Sequence, residues 1–353
     1  MNKLVADIID SSRESPLNQD AKWISTGSTL LNLSCSGEVD KGLKGGCIYN
    51  LVGSSSSGKS MLALSILAEA HHQKDMSDYS LIYDDCESAC SFDLSRLFGE
   101  AVAESIIDQM PSPPSNFLED FYHRINTLLF EGKQFIYILD SLDSLTTDTE
   151  EDKTVEILDA RARGKKVTGS YGMAKAKMIS QIMRQICTKL SATNSILIII
   201  SQTRDNVSPM SFATQTRSGG RALEFYSSIV MWMSMKDKIH KTVLGNRYQT
   251  GVVSKVKITK NKFSGRVREV PLTIKYDYGV DYLQDCIDYL VSNKVITKVG
   301  KSIVWGKIKG TTDTVIKIIE QEGLEDKLCK EVSKVYWGIE NKLVNKDRKR
   351  KYE

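Results

Sequence analysis

Gly53-Ser54-Ser55-Ser56-Ser57-Gly58-Lys59-Ser60 has the residue types and spacing suited to holding phosphate. Glycine near both ends lets backbone N–H groups wrap an anion. Lys59 can reach terminal phosphate oxygens, and the Ser60 hydroxyl can join a Mg²⁺ shell. The apolar run Cys47–Val52 precedes the stretch and a helical run from Met61 to Ala70 follows it, so the loop lies between a strand and a helix N-terminus, as that chemistry requires. Its four fixed positions arise by chance in roughly 1–2% of chains this long, before the context is counted. An ordinary Gly/Ser loop is the alternative, and ATP binding is the expectation.

Phosphoryl chemistry also needs an acid for the metal and a group that orients water. Phe135-Ile136-Tyr137-Ile138-Leu139-Asp140 is an apolar strand ending in an acid. Asp140 would share Mg²⁺ with Ser60; taken alone a strand-end Asp is better read as a turn cap, and the pairing with the phosphate loop reverses that preference. The strand Leu81-Ile82-Tyr83 leads into Asp84-Asp85-Cys86-Glu87. Glu87 there could polarise an attacking water, since ligands of parallel sheets lie at the strands' C-terminal ends. A solvated loop acid is the other reading, and the residues alone leave both open.

The elements that must position these groups follow from the pattern. Short apolar runs at Cys47–Val52, Leu81–Tyr83, Phe135–Leu139, Ile196–Ile200 and Ile229–Met233 alternate with helical stretches, which predicts an α/β fold with a mostly parallel, doubly wound sheet. Thr147–Thr168, acidic and then basic, reads as a solvated connection. Gly251–Tyr278 reads as paired strands turning at Ser264-Gly265. After Gly279 a helix, a Gly-punctuated ribbon and further helices predict a small appended α/β domain. The expected organisation is an arm and linker over 1–23, a core over 24–278, a small domain over 279–344 and a disordered basic tail over 345–353.

Composition narrows the class. Apolar residues make up 41% and charged residues 26% of the 353, close to ordinary globular proteins, and nothing approaches a membrane span. Seven cysteines without CxxC spacing suit reduced thiols, and the N-terminus lacks a secretory pattern, so a cytoplasmic protein is expected. A net charge of +4 selects no partner by itself.

Several stretches, in order and at near-constant spacing, resemble the bacterial RecA-type homologous recombinases from Ile24 to near the C-terminus. Beyond the phosphate loop they are Ile24-Ser25-Thr26-Gly27-Ser28, Asp85-Cys86-Glu87, Asp140-Ser141, Gly172–Arg184, Ile199–Arg204, Ser218–Tyr226 and Lys257–Lys262. The resemblance implies a RecA-like P-loop ATPase core with a small C-terminal domain, acting as a filament on DNA with ATP and Mg²⁺. Glu87 would orient water. Gln202 would sense the γ-phosphate and pass its state to the loop that follows. Lys260 and Lys262 would reach the nucleotide of the neighbouring subunit, supplying positive charge in trans, though their i, i+2 spacing also fits one solvated strand face. The N-terminal arm would pack on the adjacent subunit.

The same resemblance assigns a DNA face. Gly172–Arg184 looks like the first DNA-binding loop and its helix, which brings in Met173, Ser180 and Arg184. Arg204–Gly220 looks like the second. Met210 or Phe212 would wedge between bases, while Arg184, Arg204, Arg217 and Arg221 grip phosphates and Gly219-Gly220 lets backbone amides approach. A substrate lid with Phe212 packed inward is the alternative. The loop's aromatic falls one place later than in the family, the loop-one methionine is similarly displaced, and the tail is basic where the family ends acidic. The function implied is ATP-dependent recombination and repair: a homo-oligomeric filament on single-stranded DNA pairs with homologous duplex, with single-strand-binding and loader proteins as candidate partners. A RecA-fold helicase or a recombinase-loading paralogue are the competing readings.

Overall fold

The structure is a computed structural model that describes residues 22–163, 173–205, 215–217 and 220–344; at 173, 204, 205 and 215–217 it describes the backbone alone. A two-stranded ribbon of β1 (Trp23–Ile24) and β2 (Leu43–Lys44) precedes the main sheet. That sheet contains β3 (Cys47–Gly53), β4 (Ser80–Asp85), β5 (Phe135–Asp140), β6 (Ile196–Asp205), β7 (Gln215–Arg217), β8 (Ile229–Val243), β9 (Asn246–Asn261), β10 (Glu269–Lys275) and β11 (Gly279–Val280). From one edge the order is β11-β10-β9-β8-β3-β6-β5-β4, with β7 paired to β6. The five strands from β8 to β4 are parallel, as the alternating pattern predicts, and β9, β10 and β11 extend the sheet antiparallel.

Strand parity explains why the apolar runs are continuous: both faces of the parallel core are covered. On one face Tyr49, Leu51, Leu81, Tyr83, Ile136, Ile138, Ile196, Ile198 and Ile200 pack with the helix Lys59–His72. On the other, Ile48, Ile82, Tyr137, Leu139, Leu197 and Ile199 pack with the helices Leu118–Phe130 and Met173–Thr193. Each such fully buried side chain contributes roughly 1.5–3 kcal/mol, so the sheet's register is fixed from both sides.

Two segments differ from the sequence-based expectation. Thr147–Thr168 contains a helix over Asp148–Ala162, solvated as expected, with no buried residue. Thr147 caps it by accepting from Glu150 N, and Asp148, Glu150 and Glu151 in the first turn oppose Arg161 in the last, which suits the helix dipole without apolar periodicity. The strands β8 and β9 also run far past the expected Met233 and Gly251. They form a long hairpin that turns at Leu244 and Gly245, whose φ values of 50° and 80° match a two-residue hairpin loop.

The chain after β11 builds a three-stranded ribbon of β12 (Thr297–Val299), β13 (Ser302–Trp305) and β14 (Ile308–Gly310), flanked by helices Tyr282–Ser292, Thr312–Glu322 and Glu325–Leu343. Its apolar cluster includes Leu30 and Leu33 of the helix Thr29–Cys35. Arg268, just before β10, holds Glu340 with two bonds of 2.6 and 2.7 Å, and Trp337 Nε1 donates to Gly37 O at 2.9 Å. The seven cysteines are free thiols. Among the described residues no helix is long and apolar enough to cross a membrane.

Candidate nucleotide and DNA sites

The loop after β3 borders a cavity of about 500 Å³ at the C-terminal ends of the parallel strands. Ser55, Ser56, Gly58, Lys59, Ser60 and Met61 line it, together with Tyr83, Asp85, Glu87 and Asp140. Gly53, Ser54 and Ser57 complete the loop, Gly53 and Ser57 buried and Ser54 exposed. A Cβ on Gly53 would lie 2.3 Å from Met233 O, so only glycine lets the strand turn there. Gly58 adopts φ +86°, which starts the helix with its N–H groups facing the cavity side. From β9, Ser254 Oγ donates to Ser57 O at 2.8 Å and fastens the loop to the sheet.

Charged and hydroxyl groups converge inside this crevice. Lys59 Nζ donates to Ser54 O at 2.7 Å. Its pKa is lowered by burial, against the pull of Asp140, Glu87 and Asp143. Ser60 Oγ donates to Asp140 Oδ2 at 2.5 Å. Burial raises the Asp140 pKa, while the hydroxyls of Ser60 and Tyr83 oppose the rise and Glu87 and Asp85 add to it. Gln202 Nε2 donates to Glu87 Oε1 at 2.7 Å, and Ser141 Oγ donates to the same oxygen. The Gln202 backbone N–H donates to Asp143 Oδ2 at 2.6 Å.

Ser60 and Asp140 thus offer adjoining hard oxygens, the donor type Mg²⁺ takes beside phosphate oxygens and water. The loop's N–H groups and Lys59 offer the complement of a triphosphate. The residues present therefore fit a Mg²⁺ nucleotide. Phe92 and Tyr276, both exposed aromatics on the cavity rim, offer faces for a base. Sequence reasoning missed them, as it missed Tyr83 and Asp143, because side chains from β4 and three loops meet only after folding.

Lys260 and Lys262 lie elsewhere. Lys260 is paired with Val230, which is level with Asn50 in the middle of β3 and three residues short of Gly53, and neither lysine lines the cavity. Lys260 Nζ donates to Glu224 O at 2.5 Å and Phe225 O at 2.9 Å, and Lys262 Nζ to Tyr226 O at 3.4 Å. Both ammonium groups therefore sit on the carbonyl end of the helix Gly220–Tyr226, where the helix dipole favours cations.

Of the expected DNA residues, Ser180 and Arg184 share a shallow hollow with Lys177, Gln181 and Gln185 on the helix Met173–Thr193. Lys177 was missed; its spacing of i, i+3 and i, i+7 to Ser180 and Arg184 was the available signal. Met173 opens this helix, and its side chain lies outside the description. The strands carrying Arg204 and Arg217 pair directly, Arg204 with Thr216 and Thr203 with Arg217, which brings the two ends of the second loop together. Gly220 and Arg221 begin the next helix and are exposed. Met210, Phe212 and Gly219 lie outside the described residues, as do the tail 345–353 and the arm up to residue 21.

Comparison with known proteins agrees with this geometry. A family model described as the RecA N-terminal domain matches residues 8–281. Protein RecA of Chlorobaculum tepidum is 29% identical over 320 residues, covering 89% of this chain and 84% of that protein. Protein RecA of Deinococcus radiodurans is 28% identical over 316 residues, 88% of this chain and 78% of that protein. For Rickettsia prowazekii the figures are 30% over 297 residues, 83% and 78%. With the family model matching well over half its length, and the phosphate loop, Asp140 and Glu87 gathered at one sheet edge, this chain belongs to the RecA family.

Proposed function

We propose that this protein is an ATP-dependent DNA recombinase that assembles on single-stranded DNA, pairs it with homologous duplex and hydrolyses ATP to turn over. The observation that carries the reading is the contact between Gln202 and Glu87 beside the phosphate loop. Gln202 follows the buried part of β6, and the same strand runs on to Asp205, within the segment Arg204–Gly220 read as the second DNA loop. A change at the γ-phosphate would thus have a short path along the chain to the DNA loop. In this reading Lys59 and the loop N–H groups hold the triphosphate, Ser60 and Asp140 hold Mg²⁺, and Glu87 orients water. Bound Mg²⁺ would offset phosphate charge.

The lysines support a filament. Lys260 and Lys262 grip the helix that follows the DNA loop, so drawing them toward a neighbour's nucleotide would pull on that helix and link ATP state between subunits to DNA grip. Ser180, Arg184, Arg204, Arg217 and Arg221 would contact backbone phosphates and Met210 or Phe212 would separate bases, giving sequence-independent binding. The core over 24–278 would supply both sites, with 279–344 as the small domain. We place its work in the cytoplasm, with single-strand-binding and loader proteins as candidate partners.

One assay tests the proposal: ATP hydrolysis with and without single-stranded DNA, read with joint-molecule formation on homologous duplex. DNA-stimulated hydrolysis with joint molecules is expected. Polar unwinding instead would indicate a helicase, and DNA-independent hydrolysis without joint molecules would sink the recombinase reading.

A further inference from the structure

Tyr83 is not in the phosphate loop and is not at a strand end, yet its hydroxyl is at the centre of the metal-side chemistry. Its ring is buried, 1% exposed, and its edge lines the nucleotide cavity. Tyr83 OH donates to Asp140 Oδ2 at 2.6 Å, and Ser60 Oγ donates to that same oxygen at 2.5 Å. Register explains the reach. On neighbouring parallel strands Tyr83 pairs with Ile138 and Asp85 with Asp140, and Tyr83, Ile138 and Asp140 fall on the face toward the helix Lys59–His72. From one step back, the length of a phenol brings its oxygen to the carboxylate.

The two donors have different prospects. Ser60 is the side chain expected to offer an Oγ lone pair to Mg²⁺, and its own O–H can go on donating to Asp140 as it does so. Tyr83 has a buried ring with little rotational freedom and no metal to serve. We propose that Tyr83 is a positioning residue for Mg²⁺: its hydroxyl pins Asp140 Oδ2 beside the Ser60 bond, so that Oδ1 is left to serve the ion's coordination shell. In this role it acts through Asp140 and takes no part in bond making or breaking. Outer partners of a metal-holding carboxylate commonly set affinity about 10–100-fold.

The inference rests on the Mg²⁺ nucleotide reading, and the experiment separates the two. Binding of a fluorescent methylanthraniloyl-ATP to the full chain is measured across a Mg²⁺ series and in EDTA, for wild type and Tyr83→Phe. The expected result is a Mg²⁺ midpoint raised about 10-fold in Tyr83→Phe, with affinity in EDTA unchanged. In an Asp140→Asn background the same substitution should produce no further rise. 4-Aminophenylalanine at position 83, which keeps a para donor, should restore the midpoint toward wild type. 4-Methylphenylalanine, which fills the hydroxyl's volume without its proton, should not, and this pair decides the matter if Tyr83→Phe fails to fold. An unchanged midpoint, an equal loss in EDTA, or a rise that persists in Asp140→Asn overturns the proposal. Wild type that binds without any Mg²⁺ dependence would overturn the reading beneath it instead.

Discussion

Glu87 and Gln202 are in direct contact: the Gln202 amide donates to Glu87 Oε1 at 2.7 Å, joining the acid beyond β4 to the residue of β6 that pairs with Gly53 at the start of the phosphate loop. Ser141 donates to the same carboxylate oxygen, so one side of Glu87 is fixed while the residue lines the cavity. Replacing the carboxylate by an amide preserves shape and an acceptor for Gln202 but removes the charge that polarises water. Glu87→Gln should bind ATP and assemble normally while hydrolysing it about 10²–10⁴-fold more slowly, the usual worth of a positioned base. Phosphate release under saturating ATP and single-stranded DNA measures this; hydrolysis at the wild-type rate rules Glu87 out as the base.

Lys59 is expected to matter for affinity and not for folding. Its ammonium is largely withdrawn from water, which lowers its pKa, so the fold gains little by keeping it. Its bond to Ser54 O is the one it must exchange for phosphate. Lys59→Ala should therefore lose ATP affinity by at least about 10-fold, as charge-assisted bonds to phosphate are among the strong ones, with an unchanged melting temperature. Equilibrium dialysis and thermal melting read the two together. Retained affinity would move the phosphate site away from this loop.

What the sequence disclosed follows from what each feature depends on. The five parallel strands were legible because burial on both faces writes a continuous apolar run, and the phosphate loop because its chemistry is local. Asp140 was legible as the last residue of such a run. Tyr83 was read only as part of its strand, since its partner lies 57 residues away and the pairing depends on β4–β5 register. Asp143 and the rim aromatics Phe92 and Tyr276 were hidden for the same reason. The helix Asp148–Ala162 escaped because its support is capping and charge, which leave no hydrophobic period. The long hairpin escaped because most of its outer half is solvated and Leu244-Gly245 was not recognised as its turn.

The trans role of Lys260 predicts complementation. Within one subunit Lys260 is bonded to the end of the helix Gly220–Tyr226 and lies away from the nucleotide cavity. If it serves the next subunit's ATP, Lys260→Ala and Lys59→Ala proteins, each inactive alone, should regain DNA-stimulated hydrolysis on mixing. Junctions that join an intact Lys59 to a neighbour's intact Lys260 then reappear. Hydrolysis measured over a range of mixing ratios should peak at intermediate composition. Full activity of Lys260→Ala by itself would reduce the residue to a helix cap.

Asp285 should give the chain's stability a pH slope of definite sign. The carboxylate fastens the helix Tyr282–Ser292 to β10, accepting from Thr273 N at 2.9 Å and Thr273 Oγ1 at 2.6 Å. Burial pushes its pKa up to about 7; the two Thr273 bonds oppose the rise, and the nearby acids Asp281 and Asp288 add to it. Asp281 is itself bonded to Lys275 at 2.6 Å. An unfolded aspartate titrates near about 4, so between about pH 4 and about pH 7 the folded chain keeps a proton that the unfolded chain has released. Stability from this group is then highest below that window and falls as pH rises, by at most about 1.4 kcal/mol per unit, before levelling above it. Asp285→Asn carries no titrating proton and can still accept from Thr273 N and donate to its hydroxyl. Its melting temperature should therefore gain on wild type as pH is raised from about 5 to about 8, a trend that circular dichroism melts at several pH values would follow. A difference that stays constant over this range would mean that Asp285 ionises as a surface acid does, and that the helix is docked by its apolar face alone.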